Sequence, residues 1–157
     1  MSDKKKQLFL KIILIFIIIG LDLVTKDLFF GDTKTIIPNI IGIRDSSLNT
    51  GGAWSILSGE TWLLVLLTFV FLIFAFIFDA LFETKSKLYF VAFSFIIGGT
   101  IGNLIDRLVL GGVRDFLYFE FYQMFPTFNV ADSFLCIGMF LFALFVLFGH
   151  SFNKDEK

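Results

Sequence analysis

Four apolar runs dominate the sequence, at 8–21, 61–78, 88–105 and 133–149. The first extends to position 24 and carries Lys11 near its start; the second and fourth hold no charge. Each reaches about 17–18 residues, and at about 1.5 Å per residue such a helix covers roughly 27 Å, close to the hydrocarbon thickness of a bilayer. A segment in hydrocarbon must satisfy its backbone polar groups internally, so helices are expected. The dyad alternation of a membrane barrel is absent. The pattern predicts helices over about 8–24, 61–80, 88–107 and 131–149 in a single membrane domain spanning 1–157, with longer connections at 25–60 and 108–130 on one side. Within the first connection, residues 33–48 mix β-branched residues with Pro38 and Gly42, which predicts short strands and turns. Residues 55–60 predict a short interfacial helix, with Trp54 and Trp62 near the headgroups.

Composition supports this reading. Apolar and aromatic residues make up 57% of the 157 residues, Phe alone occurs 24 times, and charged residues are 17%. A soluble fold of this size has too little interior for that much apolar surface, and disorder is excluded for the same reason. The lone Cys136 rules out a disulfide framework and a cysteine zinc site. The lone His150, read as a cap on the last helical turn, rules out HExxH chemistry. A net charge of −1 gives no reason to expect a nucleic-acid partner.

Charge sets the orientation. Lys4, Lys5 and Lys6 before an apolar run also describe a cleaved signal peptide, but no small-x-small cleavage site follows, so the run reads as a retained helix. Lys4, Lys5, Lys6, Lys11, Lys85, Lys87, Lys154 and Lys157 fall on the side of the two termini; Lys26, Lys34, Arg44, Arg107 and Arg114 fall on the other. The positive-inside rule then places both termini in the cytoplasm. Most carboxylates, including Asp22, Asp106, Asp115 and Asp132, gather toward the opposite, outer side, so any chemistry belongs there.

Several features on that side invite a functional reading, each with a plainer alternative. Asp22 and Lys26 have the i, i+4 spacing of a helical ion pair. Gly98 and Gly102 form a small-xxx-small seam, while Gly99, Asn103 and Asp106 share one helical face and Arg107 follows one turn beyond Asn103. That face is either a packing seam or a surface offering an amide and a guanidinium to a peptide. In Asn49-Thr-Gly-Gly-Ala-Trp54, Gly51 and Gly52 permit positive φ and close backbone approach; the loop is a turn or a substrate-binding edge on which Asn49 offers donor and acceptor groups. Asp115 and Asp132 lie at the mouths of the third and fourth helices. They are interface or N-cap carboxylates, or they meet at roughly 3 Å and share one proton, in which case the charged member activates water and the neutral one protonates the leaving amine. No D-[ST]-G or GxGD motif is present. A Ser–Lys dyad has no distinctive spacing, a carboxylate-bound divalent metal stays open, and Cys136 reads as inert. The rival readings are a small transporter or channel subunit using membrane carboxylates as a proton relay, and a non-catalytic scaffold.

These blocks together resemble the lipoprotein signal peptidases, or signal peptidase II. Asp22-Leu-Val-Thr-Lys26 is similar to that family's D-x-x-[ST]-K, Asn49–Trp54 to N-x-G-A-A-[FW], and Gly98–Arg107 to G-G-A-x-G-N-x-x-D-R. Val113-Arg-Asp-Phe116 is similar to V-x-D-F, and Phe128-Asn-Val-Ala-Asp-Ser133 to F-N-x-A-D-S. Gly52 and Arg114 depart from the usual residues, and Arg114 beside Asp115 is placed to lower its pKa or to reach a substrate carbonyl. The resemblance implies an all-α integral membrane fold of four transmembrane helices with a small extracytoplasmic β-cradle and a short surface helix. It implies an aspartic endopeptidase of the bacterial cell membrane that cuts diacylglyceryl-modified prolipoproteins on the N-terminal side of the lipidated cysteine. Asp115 and Asp132 would be catalytic. Asn49 and Arg107 would hold the substrate backbone, with Gly51 in the same loop and Gly99 on the face below. Asn103 and Asn129 would position the dyad or peptide, and Asp22 and Lys26 would frame the pocket. Membrane lipids and globomycin-like inhibitors are implied as partners, with no cofactor or metal.

Overall fold

The computed structural model describes residues 3–82, 84 and 86–152, with side chains for 5–82, 84 and 86–148; the His150 side chain therefore lies outside the described residues. Four helices are long and apolar enough to cross a membrane: α1 (Asp3–Phe29), α2 (Thr61–Leu81), α3 (Lys87–Leu110) and α4 (Val130–Phe152). A small sheet joins them at one end, built from β1 (Lys34–Ile37), β2 (Ile41–Ile43) and β3 (Leu117–Phe119). It is antiparallel throughout, in the order β1-β2-β3.

The centre of the bundle is α3. Of its most apolar stretch 61% is buried, against 11% for each of the other three helices. Those three leave most of their Phe, Leu and Ile side chains outward, the arrangement expected where lipid is the solvent. Small residues let α3 occupy the middle. A Cβ on Gly98 would lie 2.8 Å from Ile18 of α1, and one on Gly99 would lie 2.5 Å from the Ala131 carbonyl of α4. In α4, Gly138 returns the close approach against the α3 backbone at Ile96. The small-xxx-small seam of Gly98 and Gly102 is also a close approach, since a Cβ on Gly102 would lie 2.5 Å from the Asp22 carboxylate of α1. α3 ends where Gly111 takes φ 77, the left-handed C-cap that glycine adopts most cheaply.

Two elements differ from the sequence expectation. α1 runs on to Phe29 instead of ending near 24. Thr25 Oγ1 bonds back to the Leu21 carbonyl at 2.8 Å, and Lys26 finds buried partners, so the helix continues with its charge turned inward. The short helix expected at 55–60 is a 3-10 turn at Ala53–Ser55 followed by further turns. Trp54, Ser55 and Leu57 each take a φ of 57, which an α-helix excludes.

The sheet positions the functional loops. β2 pairs with β3 through Ile43↔Leu117, Gly42↔Tyr118 and Ile41↔Phe119, tying the first connection to the second. Beyond it, Asn49 and Val113 exchange two backbone hydrogen bonds of 2.8 Å each. Leu117 and Phe128 form a second bridge. The stretch carrying Asp115 is thus held between the Asn49 loop on one flank and the entry to α4 on the other.

Candidate active site

Asp115 and Asp132 line one cavity of about 610 Å³ beneath the sheet, with Asn49, Asn103 and Arg107 in the same wall. Each carboxylate is held by amides. Asp115 accepts from Asn49 Nδ2 at 2.9 Å and from Asn129 Nδ2 at 2.7 Å. Asp132 accepts from Asn103 Nδ2 at 2.8 Å and from the Asn129 backbone N–H at 3.1 Å. The Asn129 Oδ1 in turn accepts the Asp132 N–H at 2.8 Å. This reciprocal exchange is a capping box at the start of α4. Asp132 is thus a helix-capping carboxylate that also lines the cavity.

Burial pushes the Asp115 carboxyl up to about 7; the nearby Asp132 charge adds to the rise, and the amides of Asn49 and Asn129 oppose it. Desolvation and a like charge both favour the protonated acid, while donors favour the carboxylate. The Ser46 hydroxyl also donates to the Asp115 carbonyl, fixing the backbone there.

Behind the cavity lies a buried charged layer. Lys26 Nζ donates to Asp22 Oδ2 at 2.7 Å and to Asn103 Oδ1 at 2.9 Å, and lies 3.4 Å from Asp106 Oδ2. Lys26 and Asp22 are wholly inaccessible and Asp106 nearly so. Asp22 Oδ1 also accepts the Ala131 N–H at 2.9 Å, using an otherwise unpaired donor at the head of α4. An ammonium only donates. Facing Lys26, Asn103 must therefore present its oxygen, and its NH₂ group is left to point at Asp132. Asn129 Nδ2 adds a second donor to the same oxygen, at 3.0 Å. The amide orientation that serves Asp132 is thus set by a lysine on another helix.

The structure separates the sequence candidates into two groups. Asn49, Asn103, Arg107, Asp115 and Asp132 reach the cavity. Asp22, Lys26 and Asn129 are fully buried beneath it, and Gly99 is covered by Ala131 and Leu135. Asn129 braces both carboxylates and Asp22 and Lys26 back the pocket wall, while the packing of α1 and α4 against α3 buries all four side-chain positions. Gly51 serves through its backbone: its carbonyl accepts from Arg107 at 2.9 Å. Gly51 and Gly52 are not among the positive-φ residues. Gly51 is required for closeness, since a Cβ would sit 2.9 Å from the Ser55 backbone.

Arg114 turns away from Asp115. Its guanidinium bonds Asp106 at 2.8 Å, its backbone N–H bonds Asp106 at 3.0 Å, and it pairs with Asp27 of α1. The bonds to Asp106 hold the guanidinium in its charged form more firmly than in water. Its role is to balance Asp106 and anchor the Asp115 loop, which neither expected role anticipated. Cys136 lies in the cavity wall. Among the described residues, no three His, Cys, Asp or Glu side chains group as a metal site.

A second cavity of about 890 Å³ shares Asn103, Arg107 and Asp132 with the first and runs down the bundle between α2, α3 and α4. Arg107 thus stands where the two meet, with its Nε unpaired although buried. The proton-relay reading finds no support. Asp22, Asp27, Asp106 and Asp132 sit at the sheet end of their helices, and among the described residues the only other carboxylate within a span is Asp79, paired with Lys11 at the opposite end.

Residues 14–148 match the family described as Signal peptidase (SPase) II. A lipoprotein signal peptidase of Bacillus pumilus (strain SAFR-032) is 35% identical over 150 residues, covering 92% of this chain and 96% of the relative. Two solved structures, each described as a bacterial membrane enzyme determined by the in meso method, are also similar. The one at 2.3 Å resolution has a TM-score of 0.80 and 35% identity, covering 94% of this chain and 92% of its own. The one at 1.9 Å has a TM-score of 0.78 and 34% identity, covering 87% and 92%.

Proposed function

The chain belongs to the signal peptidase II family, and from that premise we propose that Asp115 and Asp132 are the catalytic pair of an aspartic endopeptidase. As a lipoprotein signal peptidase it is a multi-pass membrane enzyme that acts on prolipoproteins. The cut falls on the N-terminal side of the diacylglyceryl-modified cysteine. Both termini lie in the cytoplasm and the catalytic pair near the outer face of a bacterial cell membrane, in keeping with the lysine bias of the sequence.

The reading rests on one observation: two carboxylates in one cavity, each braced by asparagine amides, one of them pushed up to about 7. Asp115 holds the proton shared by the pair and Asp132 is ionised. Asp132 takes a proton from a water whose oxygen attacks the scissile carbonyl, while Asp115 gives its proton to the carbonyl oxygen. Collapse of the tetrahedral intermediate breaks the C–N bond: the proton held by Asp132 passes to the leaving amine, and a hydroxyl of the intermediate returns a proton to Asp115 as the new carboxyl group forms, which restores the starting pair. Asn49 and Arg107 flank the pair and hold the peptide backbone. The second cavity receives the apolar helix of the signal peptide, whose lipid tails stay in the bilayer. Extracting them would cost about 0.8 kcal/mol per CH₂. Globomycin-like inhibitors occupy the same cavity. The test is cleavage of a diacylglyceryl-modified lipobox peptide by the Asp115→Asn and Asp132→Asn variants; near-parental turnover in either ends the proposal.

Two further outcomes are expected. Arg107→Ala loses a cavity donor and the tie to the Gly51 carbonyl, so KM for the lipobox peptide and the inhibition constant of globomycin should rise about tenfold or more, with a smaller effect on thermal unfolding. Unchanged binding with lost stability would make Arg107 a packing residue. Asn49→Ala removes a donor that favours ionised Asp115, so its pKa should move above about 7. The active form has Asp115 protonated, so activity is lost as pH rises through that value. The alkaline limb of kcat/KM should shift upward in the variant, and a downward shift would reassign the proton.

A further inference from the structure

The residue of α3 that lines the second cavity farthest from the catalytic pair is Tyr89, and it sits in an aromatic cluster. From the catalytic pair the cavity follows one stripe of α3 (Thr100, Ile97, Phe93) and one of α4 (Leu135, Met139, Phe142), with α2 as the third wall. Tyr89 is 1% exposed. The Tyr89 ring lies 5.5 Å from that of Phe82 after α2, 5.9 Å from Phe93, and 5.2 and 6.3 Å from Phe145 and Phe142 of α4. Phe82 and Phe145 also meet edge-on at 6.0 Å. At the back, the Tyr89 hydroxyl donates to Asp79 at 3.0 Å. Asp79 pairs with Lys11 of α1, whose ammonium lies over the Tyr89 and Phe93 rings at 5.2 and 5.0 Å. One tyrosine therefore ties all four helices together at this level. Nothing in the reaction uses the cluster.

Its depth is set by helix geometry. Asn103 bonds Asp132 and thus marks the level of the catalytic pair on α3. Counting down α3 from Asn103 to Tyr89, and down α4 from Asp132 to Phe142, gives roughly 21 and 15 Å at about 1.5 Å per residue. A helix of that length has about 10–14 residues, within the roughly 7–15 residues of a signal-peptide apolar region.

We propose that the Tyr89-centred aromatic cluster is a depth stop that makes the enzyme selective for the length of the signal peptide's apolar segment. The inference rests on the second cavity being the path of that segment. A helix of matching length reaches from the stop to the catalytic pair and presents its scissile bond there. A helix two turns longer must either overpack the rings or ride upward, carrying the bond past the carboxylates. A shorter one lacks a fixed register.

The test uses the full chain in lipid bicelles and diacylglyceryl-modified lipobox peptides with apolar segments of about 8, 12 or 19 residues. The parent enzyme should favour the middle length, with kcat/KM lower by about tenfold for the longest, as an overpacking penalty of this kind implies. Tyr89→Ala and Phe145→Ala, which open the stop from different helices, should each restore most of the lost rate on the long substrate. Tyr89→Phe keeps the ring and loses the hydroxyl, and should keep the parental length profile. Folding of each variant is followed by thermal unfolding, and Phe145→Ala carries the test if Tyr89→Ala does not fold. The proposal is overturned if folded stop-opening variants retain the parental profile, or if Tyr89→Phe flattens it as much as alanine does. A parent that cleaves all three lengths equally refutes the stop alone; a parent that cleaves none refutes the peptidase reading beneath it.

Discussion

Asparagine at either position 115 or 132 is expected to lower kcat on a diacylglyceryl-modified lipobox peptide by about 10³- to 10⁴-fold, and the double variant should fall little further. The non-additivity follows from the proposed mechanism, in which one proton is shared and neither carboxylate works as base or acid without the other. The folding cost should be much smaller. At position 132 the asparagine keeps an oxygen for the Asn129 N–H and the backbone N–H still donates to Asn129, so the capping exchange survives, while the new NH₂ group faces the Asn103 amide donor and that bond is lost. At position 115 the new NH₂ group must face one of two amide donors, Asn49 or Asn129. One hydrogen bond is lost there, at about 1–3 kcal/mol. Activity and thermal unfolding measured on the same preparations separate the effects. A loss of turnover that merely tracked loss of fold, or single-variant losses that multiplied in the double variant, would count against a shared proton.

Lys26→Met carries the largest expected stability effect. The ammonium is fully buried and serves Asp22, Asn103 and Asp106 together. Removing one partner from a buried ionic network typically costs about 3–5 kcal/mol, because the charges left behind lose compensation without regaining water. Combining Lys26→Met with Asp22→Asn should recover part of that loss, since one orphaned charge disappears with its partner. Any folded Lys26→Met protein should also turn over slowly, because the Asn103 amide is then free to rotate its oxygen toward Asp132. Unfolding in detergent, compared across the two single variants and the double, measures the coupling. A destabilisation below about 1 kcal/mol would show that the network is hydrated.

Much of the molecule could be read from the chain because the relevant signals are local. A run of apolar residues of bilayer length has one stable backbone solution, so four helices followed directly. The i, i+4 spacing of Asp22 and Lys26 puts them on one face of any helix, and they are indeed paired. Other features have no local signal. β3 is three residues long and gains its identity from β2, more than seventy positions earlier. Lys11 and Asp79 are 68 positions apart in sequence, and the packing of α1 and α2 against α3 pairs them and brings both to Tyr89. Arg114 sits beside Asp115 in sequence and turns from it in space, because the carboxylate of Asp106, before the C-cap of α3, accepts from both its backbone N–H and its guanidinium.

The sequence by itself determined that this is a membrane-spanning helical protein and which end holds its polar chemistry, because hydrophobic length and charge placement act residue by residue against the bilayer. Tertiary structure decided which polar residues face the cavity and which are sealed beneath it. That choice depends on how closely α1 and α4 can approach α3, and the approach is set by the missing side chains of Gly98, Gly99 and Gly138. Once the helices touch, Lys26 can no longer reach water. Its need for acceptors then orients Asn103, and through Asn103 one of the two carboxylates.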